Sequence, residues 1–310
     1  MIYTITLNPS IDRTLYFNKL YIGEINRAET SRIDLAGKGV NVSIALRALG
    51  LPSVIMGLAG GVMGQILVQG LTERGLMCNF IPVNGETRSN ITLVDRESHV
   101  TTKLNEPGPV VSHAEIDQLL ERMISLLQPG DICVYCGSLP PGAPVETYAR
   151  FITAVKGWGA KAILDTSGTA LALGCAAGPD WIKPNVAEAE ELVNGSFSDQ
   201  AHWAKGLVSL IATGPGCVLL TMGEEGAVFA NADEAWLAVP PPIVASSTVG
   251  AGDSALAGAI YAWQSGLTTE DTVHWAVAAG TTAVMQEGTA MPTMNQIRSI
   301  YDDVTTRSLY

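Results

Sequence analysis

The feature that most constrains the fold of this chain is an alternation of apolar, strand-like segments with helical segments. A β-rich segment at residues 2–8 is followed by a helix at 42–50, a strand at 53–60 and a helix at 63–75. Further strands are predicted at 131–136, 161–164, 180–182 and 217–220, with helices at 112–127, 144–156, 185–194 and 199–212. This order predicts an α/β fold in which helices cover both faces of a mostly parallel sheet.

Two segments, residues 12–35 and 86–104, interrupt this alternation. Both are polar and strand-like, and neither carries a helix signal. Such strands, set apart from an α/β core, predict a small separate sheet that acts as a lid. No repeat, linker or low-complexity tract divides the chain, so residues 1–310 are predicted to form a single domain with this lid.

The charge of the chain limits its partners. It has 18 Lys and Arg against 30 Asp and Glu, a net charge of −12, without a basic run or a basic aromatic stripe. Nucleic acid and anionic membrane surfaces are therefore poor partners. An anionic substrate would need a few basic residues brought together at one site. No segment reaches the roughly 18 apolar residues that a membrane-spanning helix needs.

Five scattered cysteines do not resemble a disulfide framework. Cys133 and Cys136 form a CxxC pair, but they lie in an apolar run that predicts a buried strand, and the chain has no second pair of this kind. We expect core residues here rather than a zinc or redox site. The opening MIYTITLNPSID lacks the features of a signal peptide, so a reducing, cytoplasmic location is expected.

Polar and glycine residues follow the predicted strands at their carboxyl ends, where sheets of this kind bind ligands. These residues are Asn8, Asp12, Gly137, Ser138, Asp165, Lys183 to Asn185, and Thr221 to Gly223. Their convergence predicts a functional site at this edge of the sheet.

Residues 247–254, STVGAGDS, open a helix and carry the sharpest signal. The glycines permit close approach of the backbone, and the free N–H groups of the first helical turn form an anion site that the helix dipole strengthens. Asp253 is placed to take a proton from a hydroxyl while these groups hold migrating phosphoryl charge. From this segment alone, an ordinary acidic residue at a helix start stays open.

The same segment matches a dinucleotide fingerprint at Gly250, Gly252 and Ala255. In that motif an acidic residue about 20 positions further on ends a second strand. Glu270 and Asp271 instead start a helix, with Thr268 as its cap, so an NAD-binding oxidoreductase is disfavoured.

Two other segments carry weaker signals. Gly37, Lys38 and Asn41 stand before the helix at 42–50, where small residues leave room for a polar ligand, although a plain tight loop fits equally well. Asn185 and Glu188 share one helical face, from which they could order water around Mg²⁺ on ATP phosphates, or they could simply cap the helix.

Together, STVGAGDS, AGKGVN (36–41), GSLPPG (137–142), the Lys-Pro-Asn-x-x-Glu segment (183–188) and TLNPSID (6–12) resemble the PfkB, or ribokinase-like, carbohydrate kinase family over residues 1 to about 290. Within that family, ITLNPSID, GEINRAE and ETRSNITL…TTKLNEPGP are most similar to 1-phosphofructokinases, followed by tagatose-6-phosphate kinases. The resemblance implies a three-layer α/β/α core and a β lid that often forms the clasp of a homodimer.

The resemblance also implies roles for individual residues. Asp253 would be the catalytic base, and the turn of Gly250, Ala251, Gly252 and Asp253 the anion hole. Contacts with the sugar are implied for Asp12, Gly37, Lys38, Asn41 and Ser138, and contacts with its phosphate for Arg88, Asn90, Lys103 and, from a neighbouring subunit, Arg27. Mg-ATP would be held by Asn185 and Glu188, with the metal bound through water, and by nucleotide-site residues Lys183, Thr221, Gly223, Val249, Ala283 and Gln286.

These observations favour ATP-dependent phosphorylation of a ketose phosphate, with conversion of fructose 1-phosphate to fructose 1,6-bisphosphate as the leading reaction. Tagatose 6-phosphate, fructose 6-phosphate and an unphosphorylated sugar or nucleoside stay open as substrates. Arg27, Arg88 and Lys103, on an acidic chain, favour a phosphorylated one. The alternative of another class is a catalytically silent sugar-phosphate sensor, which the intact glycine turn with Asp253 disfavours.

Overall fold

The computed structural model describes residues 1–197, 200–286 and 291–310. The strands are β1 (Ile2–Thr6), β2 (Ser10–Phe17), β3 (Thr30–Ala36), β4 (Ser53–Ala59), β5 (Met77–Pro82), β6 (Arg88–Asp95), β7 (Val100–Leu104), β8 (Ile132–Cys136), β9 (Lys161–Asp165), β10 (Trp181–Ile182), β11 (Cys217–Thr221), β12 (Ala227–Ala230), β13 (Ala235–Val239) and β14 (Thr305–Ser308). The helices are α1 (Lys38–Ala48), α2 (Gly61–Glu73), α3 (His113–Ile124), α4 (Thr147–Gly157), α5 (Gly168–Ala176), α6 (Val186–Val193), α7 (Gln200–Ala212), α8 (Ala251–Gln264), α9 (Thr269–Val284) and α10 (Met294–Tyr301).

The central sheet has the strand order β14-β13-β12-β11-β10-β9-β8-β1-β4-β5 across the described residues. The strands from β5 to β11 in this order are parallel to their neighbours, and β12, β13 and β14 are antiparallel at one edge. The predicted mostly parallel sheet is thus confirmed. Because β1 pairs with β4 on one side and with β8 on the other, the direction of the strand order reverses at β1, and its carboxyl end opens into a crevice.

Helices cover both faces of this sheet because successive strand residues point to opposite sides. In β1, Ile5 joins a core cluster that includes Phe151 of α4 and Leu207 of α7. Ile2 of the same strand joins a second cluster on the other face, with Leu46 of α1 and Leu256 of α8. The result is the three-layer α/β/α arrangement that the sequence resemblance implies.

A separate sheet with the order β3-β2-β6-β7 confirms the predicted lid. Strands β2 and β6 run parallel, and β3 and β7 pair antiparallel to them on the outside. The strands extend slightly beyond one predicted segment, since β2 starts at Ser10 and β3 ends at Ala36. Residues 18–29, inside the same segment, form a connection rather than a strand.

The predicted start of α1 at residue 42 is wrong, because the helix begins at Lys38. Gly37 has φ 132°, which no helical residue adopts, so it becomes the N-cap. Gly39 is needed inside the first turn, since a side chain there would overlap the hydroxyl of Thr6 in β1. This close approach brings Lys38 and Asn41 to the crevice on a rigid helix. The predicted helix at 199–212 is observed from Gln200, and residue 199 lies outside the described residues.

Cys133 and Cys136 are fully buried in β8, which confirms the predicted core strand. In the described part of the chain, no cluster of three or more His, Cys, Asp and Glu side chains is arranged to hold a metal ion. None of the described helices is both long enough and apolar enough to cross a membrane.

We predict that Gly57→Ala destabilises the fold. Gly57 of β4 lies opposite Thr6 of β1, and an added Cβ would overlap the carbonyl oxygen of Thr6, so the two strands must separate. The free energy of unfolding, measured by urea titration, should fall by about 3 kcal/mol. The matched control is Gly157→Ala at the end of α4, where the Cβ meets open space and the change should be about 1 kcal/mol or less. Equal stabilities of the two variants would contradict this packing argument.

Candidate active site

Several predicted site residues converge at the crevice beyond β1, where the N-termini of α1 and α8 meet the ends of β9 and β10. Asn41 of α1 donates a hydrogen bond from Nδ2 to Oδ2 of Asp253 in α8, at 2.8 Å. These residues are 212 positions apart in the chain, and both are buried. The two sharpest sequence motifs therefore meet in one place.

The turn before Asp253 has the geometry of an anion site. Gly250 adopts φ 79°, a left-handed conformation that suits glycine, and serves as the N-cap of α8. The first helical hydrogen bond runs from Ser254 N–H to the Gly250 carbonyl at 2.9 Å. Within the described residues, the N–H groups of Gly252 and Asp253 have no acceptor, whereas Ala251 N–H donates weakly to the Thr248 carbonyl at 3.5 Å. The free groups, at the positive end of the helix dipole, favour a negative ligand.

The pKa of Asp253 is raised to about 6. Burial is the main cause, since it disfavours the charged carboxylate, and the nearby Asp165 carboxylate adds to it. The hydrogen bond from Asn41 and the charges of Lys38 and Lys183 act in the opposite direction. Asp253 is therefore mostly ionised at neutral pH while being a much stronger base than an exposed aspartate, which suits a general base.

Asp165, at the end of β9, is the centre of an ionic cluster. Its Oδ1 accepts a hydrogen bond from Lys38 Nζ at 2.8 Å and lies 3.3 Å from Lys183 Nζ. Although burial lowers the pKa of Lys38, the Asp165 carboxylate raises it above its ordinary value, so Lys38 stays charged. Lys183 also borders the anion turn, because a Cβ on Gly252 would lie 3.6 Å from its Nζ. The sequence placed Asp165 at a strand end without giving it a role.

One face of the lid carries the predicted lid residues. Asp12 and Asn90 are register partners on β2 and β6, and Asn90 Nδ2 donates to Asp12 Oδ1 at 2.9 Å. Arg88 lies two residues before Asn90, and Lys103 pairs with Thr92, two residues after it. Since alternate strand residues share a face, Arg88, Asn90 and Lys103 all lie on the Asp12 side of the lid. The Oδ1 atom of Asn90 is buried and has no partner in the described parts of the protein.

Arg88 is a half-buried cation whose contacts are neutral. Its guanidinium donates to the carbonyl of Asn8 at 2.9 Å and, more weakly, to that of Glu106 at 3.4 Å. Burial lowers the pKa of Arg88, and the negative charge of Asp12 offsets this only in part. No ion pair of Arg88 is found within the described residues. A desolvated charge without a counter-ion favours an anionic ligand.

Three of the predicted substrate residues are exposed. Ser138 is exposed just after β8, beside Gly137, where a Cβ would lie 3.7 Å from Cβ of Lys38. Lys103 is exposed on β7, the outer strand of the lid. Arg27 is exposed in the connection between β2 and β3, and the structure gives it no ion pair with any described residue.

Asn185 and Glu188, which are predicted to hold Mg-ATP, form the capping arrangement that the sequence left open. Glu188 N–H donates to Asn185 Oδ1, and Asn185 N–H donates to Glu188 Oε2, both at 2.9 Å. Capping does not prevent metal chemistry, because a carboxylate offers about four acceptor positions. Thr221 bridges to the same turn, with its N–H 3.0 Å from the Pro184 carbonyl.

Of the other residues predicted to contact the nucleotide, Val249 belongs to the segment that leads into α8, and Ala283 and Gln286 lie at the end of α9. The N–H groups of Ser246 and Ser247 donate to the Val284 carbonyl at the end of α9, which brings residues 246–249 onto this helix end. Ala283 is buried, Gln286 is half-buried, and Val249 and Gly223 are exposed. Gly223 has φ 62° and begins a short 3₁₀ helix, Gly223–Glu225.

Known proteins share this architecture. The family model for pfkB family carbohydrate kinases matches residues 5–296. The chain is 36% identical over 311 residues to a 1-phosphofructokinase of Rhodobacter capsulatus, covering 99% of this chain and 98% of that protein. It superimposes on Escherichia coli phosphofructokinase-2 in complex with substrates and products with a TM-score of 0.92 and 30% identity, covering 97% and 98% of the two chains.

A second crystal structure of the Escherichia coli phosphofructokinase-2, in complex with fructose-6-phosphate, gives a TM-score of 0.91 and 29% identity, with coverage of 97% of this chain and 98% of that one. The family match spans most of the chain and all of the motifs that form the crevice. The chain therefore belongs to the pfkB family of carbohydrate kinases and is an ATP-dependent sugar kinase.

Proposed function

We propose that the protein transfers the γ-phosphoryl group of ATP to a ketose phosphate, with fructose 1-phosphate as substrate and fructose 1,6-bisphosphate as product. The observation that carries this proposal is the combination of a buried base, Asp253, at an anion turn with a lid cation, Arg88, that has no described counter-ion. The similarity to a 1-phosphofructokinase over the whole chain favours this ketose phosphate.

The reaction follows from the positions of the groups. Asp253 takes the proton of the sugar C6 hydroxyl as its oxygen forms a bond with the γ-phosphorus, and the bond from this phosphorus to the β–γ bridging oxygen breaks to release ADP. The free N–H groups of Gly252 and Asp253, with the ammonium of Lys183 beside them, stabilise the charge on the phosphoryl oxygens. Gly250 and Ala251 shape this turn.

Mg²⁺ bound with ATP would neutralise part of the phosphate charge, and Asn185 and Glu188 would hold its water ligands. This fits the residues present, since Mg²⁺ commonly keeps several waters and binds through substrate phosphates rather than in an all-protein cage. The nucleotide itself would lie beside Thr221, Gly223, Val249, Ala283 and Gln286.

The sugar would lie between the core and the polar face of the lid. Its hydroxyls would contact Asp12, Asn41 and Lys38, with the backbone of Gly37 and the Ser138 side chain nearby. Its phosphate would contact Arg88, Asn90 and Lys103. The unpartnered, buried Oδ1 atoms of Asn41 and Asn90 fit ligand hydroxyl groups at these positions.

Fructose 6-phosphate is the second candidate substrate, because Escherichia coli phosphofructokinase-2 binds it within the same architecture. Tagatose 6-phosphate also fits the same phosphate site. A sensor without activity is disfavoured, since a sensor would not need the raised basicity of Asp253. The five cysteines are all unpaired, which fits the cytoplasmic location that the sequence predicts.

We also propose that the lid forms a homodimer. The lid face opposite Asp12 is largely apolar. On it, Ile33 and Ile91 lie on either side of the exposed Arg13, and Leu104 pairs with Ile91; both Ile33 and Leu104 are about half exposed. An exposed apolar sheet face is normally covered, and a second copy can cover it with two-fold symmetry. Pairing of two lids would also offer a route for Arg27 of one subunit to reach the sugar site of the other.

The first prediction concerns the substrate. In a coupled assay of ADP release with fructose 1-phosphate, fructose 6-phosphate and tagatose 6-phosphate, fructose 1-phosphate should give the highest kcat/KM. Arg88→Ala should raise KM for this sugar about 10- to 100-fold, because it removes a charge-assisted contact to phosphate, with little change in KM for ATP. The control is Arg96→Ala, which removes an exposed lid arginine paired with Glu29. A higher kcat/KM with another ketose phosphate would replace the proposed substrate.

The second prediction concerns the base. Because only the ionised Asp253 accepts a proton, kcat/KM should fall about tenfold per pH unit below about pH 6. Asp253→Asn should lower kcat by about 10² to 10⁴-fold with both KM values nearly unchanged. Asp271→Asn is the control, since Asp271 holds the same third position in helix α9. Retention of more than a tenth of wild-type turnover by Asp253→Asn would assign the base to another group.

The third prediction concerns assembly. Light scattering at micromolar concentration should give twice the 32.6 kDa mass of one chain. Ile33→Asp, which puts a charge on the apolar lid face, should shift the mass toward the monomer, whereas Val208→Asp, at an exposed position on α7, should not. A fully active wild-type protein with the mass of one chain would rule out the lid dimer.

A further inference from the structure

The two residues next to Arg88 in the sequence, Thr87 and Ser89, are both hydrogen-bonded to other segments of the chain. The N–H of Thr87 donates to the Gly60 carbonyl at 2.9 Å, and Thr87 Oγ1 accepts from Gly60 N–H at 3.0 Å. On the other side, Ser89 N–H donates to Glu106 Oε2 at 2.8 Å. Strand β7 does not pair with β6 at Ser89, since the pairing of the two strands ends at Leu104. The Glu106 carboxylate thus replaces the missing strand partner of Ser89.

The guanidinium of Arg88 is held by the segment that contains Glu106 and by the residues that follow β1. It donates to the carbonyl of Asn8 at 2.9 Å and to that of Glu106 at 3.4 Å. The Glu106 carboxylate, by contrast, is used by the main chain of Ser89 and forms no ion pair with Arg88 among the described residues. The contacts therefore fix the side chain without neutralising it.

Asn8 also connects the two segments that contact the guanidinium of Arg88. It is 5% exposed, and its Nδ2 donates to the Pro107 carbonyl at 3.0 Å, which ties residues 105–109 to the end of β1. Gly108 adopts φ 92°, and a Cβ there would overlap Oδ1 of Asn8. The segment therefore packs directly on the Asn8 amide. Residues 6–12 and 105–109 thus form one latch around Arg88, which we call the Arg88 latch.

We infer that Asn8 and Glu106 are positioning residues, which hold Arg88 in the geometry that binds the substrate phosphate. This inference rests on the proposed sugar-phosphate kinase function. A long arginine side chain loses rotamer freedom when it binds an anion, and prior immobilisation removes this cost from the binding step. Because both anchors of the guanidinium are neutral carbonyl groups, the latch leaves the full positive charge for the phosphate.

The test is a double-mutant cycle of Glu106→Ala with Arg88→Ala, read as KM for the sugar phosphate that the wild-type enzyme uses best. Glu106→Ala should raise this KM roughly three- to tenfold, the usual effect of losing one hydrogen bond, and leave kcat and KM for ATP within about twofold. In the Arg88→Ala background the same change should have almost no effect, because the residue it positions is absent. Glu106→Gln, which keeps an acceptor for Ser89 N–H, should restore most of the affinity.

Glu97→Ala is the matched control, since Glu97 is an exposed lid glutamate that pairs with Lys19 away from the latch. If Glu106→Ala folds poorly, Asn8→Ala, which removes the bond to Pro107, gives a second test and should raise KM for the sugar phosphate in the same way. Two results would overturn the positioning role of the Arg88 latch while leaving the proposed function intact. One is an equal increase of KM with and without Arg88, and the other is no increase of KM when Arg88 is present. An Arg88→Ala enzyme with unchanged KM would instead overturn the proposed phosphate site, and the latch with it.

Discussion

The shared carboxylate of Asp165 organises the charges of the crevice. It lies at the end of a central strand, almost without exposure, and contacts the ammonium groups of both Lys38 and Lys183. With Asp253, the cluster has two negative and two positive groups in a poorly hydrated place, where an unpaired charge is costly. The Asp165 carboxylate raises the pKa of Lys38, which stays charged, and it adds to the raised pKa of Asp253, whereas the two lysines act in the opposite direction on Asp253.

The lid completes the site by a different principle, the alternation of side chains along a strand. A single register puts Arg88, Asn90 and Lys103 on the face of Asp12, and it leaves mainly apolar residues, together with Arg13, on the other face. In our proposals, the alternation of side chains therefore serves ligand binding on one face of the lid and subunit pairing on the other. The two lid strands next to each other, β2 and β6, come from segments more than 70 residues apart, so lid and site form together.

Much of this organisation was predictable because it follows from local chemistry. The strand and helix alternation predicts the parallel sheet, and the sheet predicts that Asp165, Lys183 and Thr221 share one edge. The glycine turn before Asp253 has a local reason too, since Gly250 takes a left-handed conformation. The antiparallel edge of β12 to β14 was not predicted. Its strands are short, and β14 lies about 65 residues after β13, so no local sequence pattern indicates that the two strands pair.

The sequence by itself determined the α/β class, the existence of a polar lid and the residues that meet at the strand ends. These features depend on the period of hydrophobic residues and on turn-forming residues, both of which are local properties of the sequence. Tertiary structure alone decided the start of α1, which depends on how closely Gly39 approaches Thr6. It also decided the pairing of Asp165 with two lysines and the contacts of Asn8 and Glu106 with Arg88. These contacts join residues about 20 to 130 positions apart, and their strength depends on burial, which only packing creates.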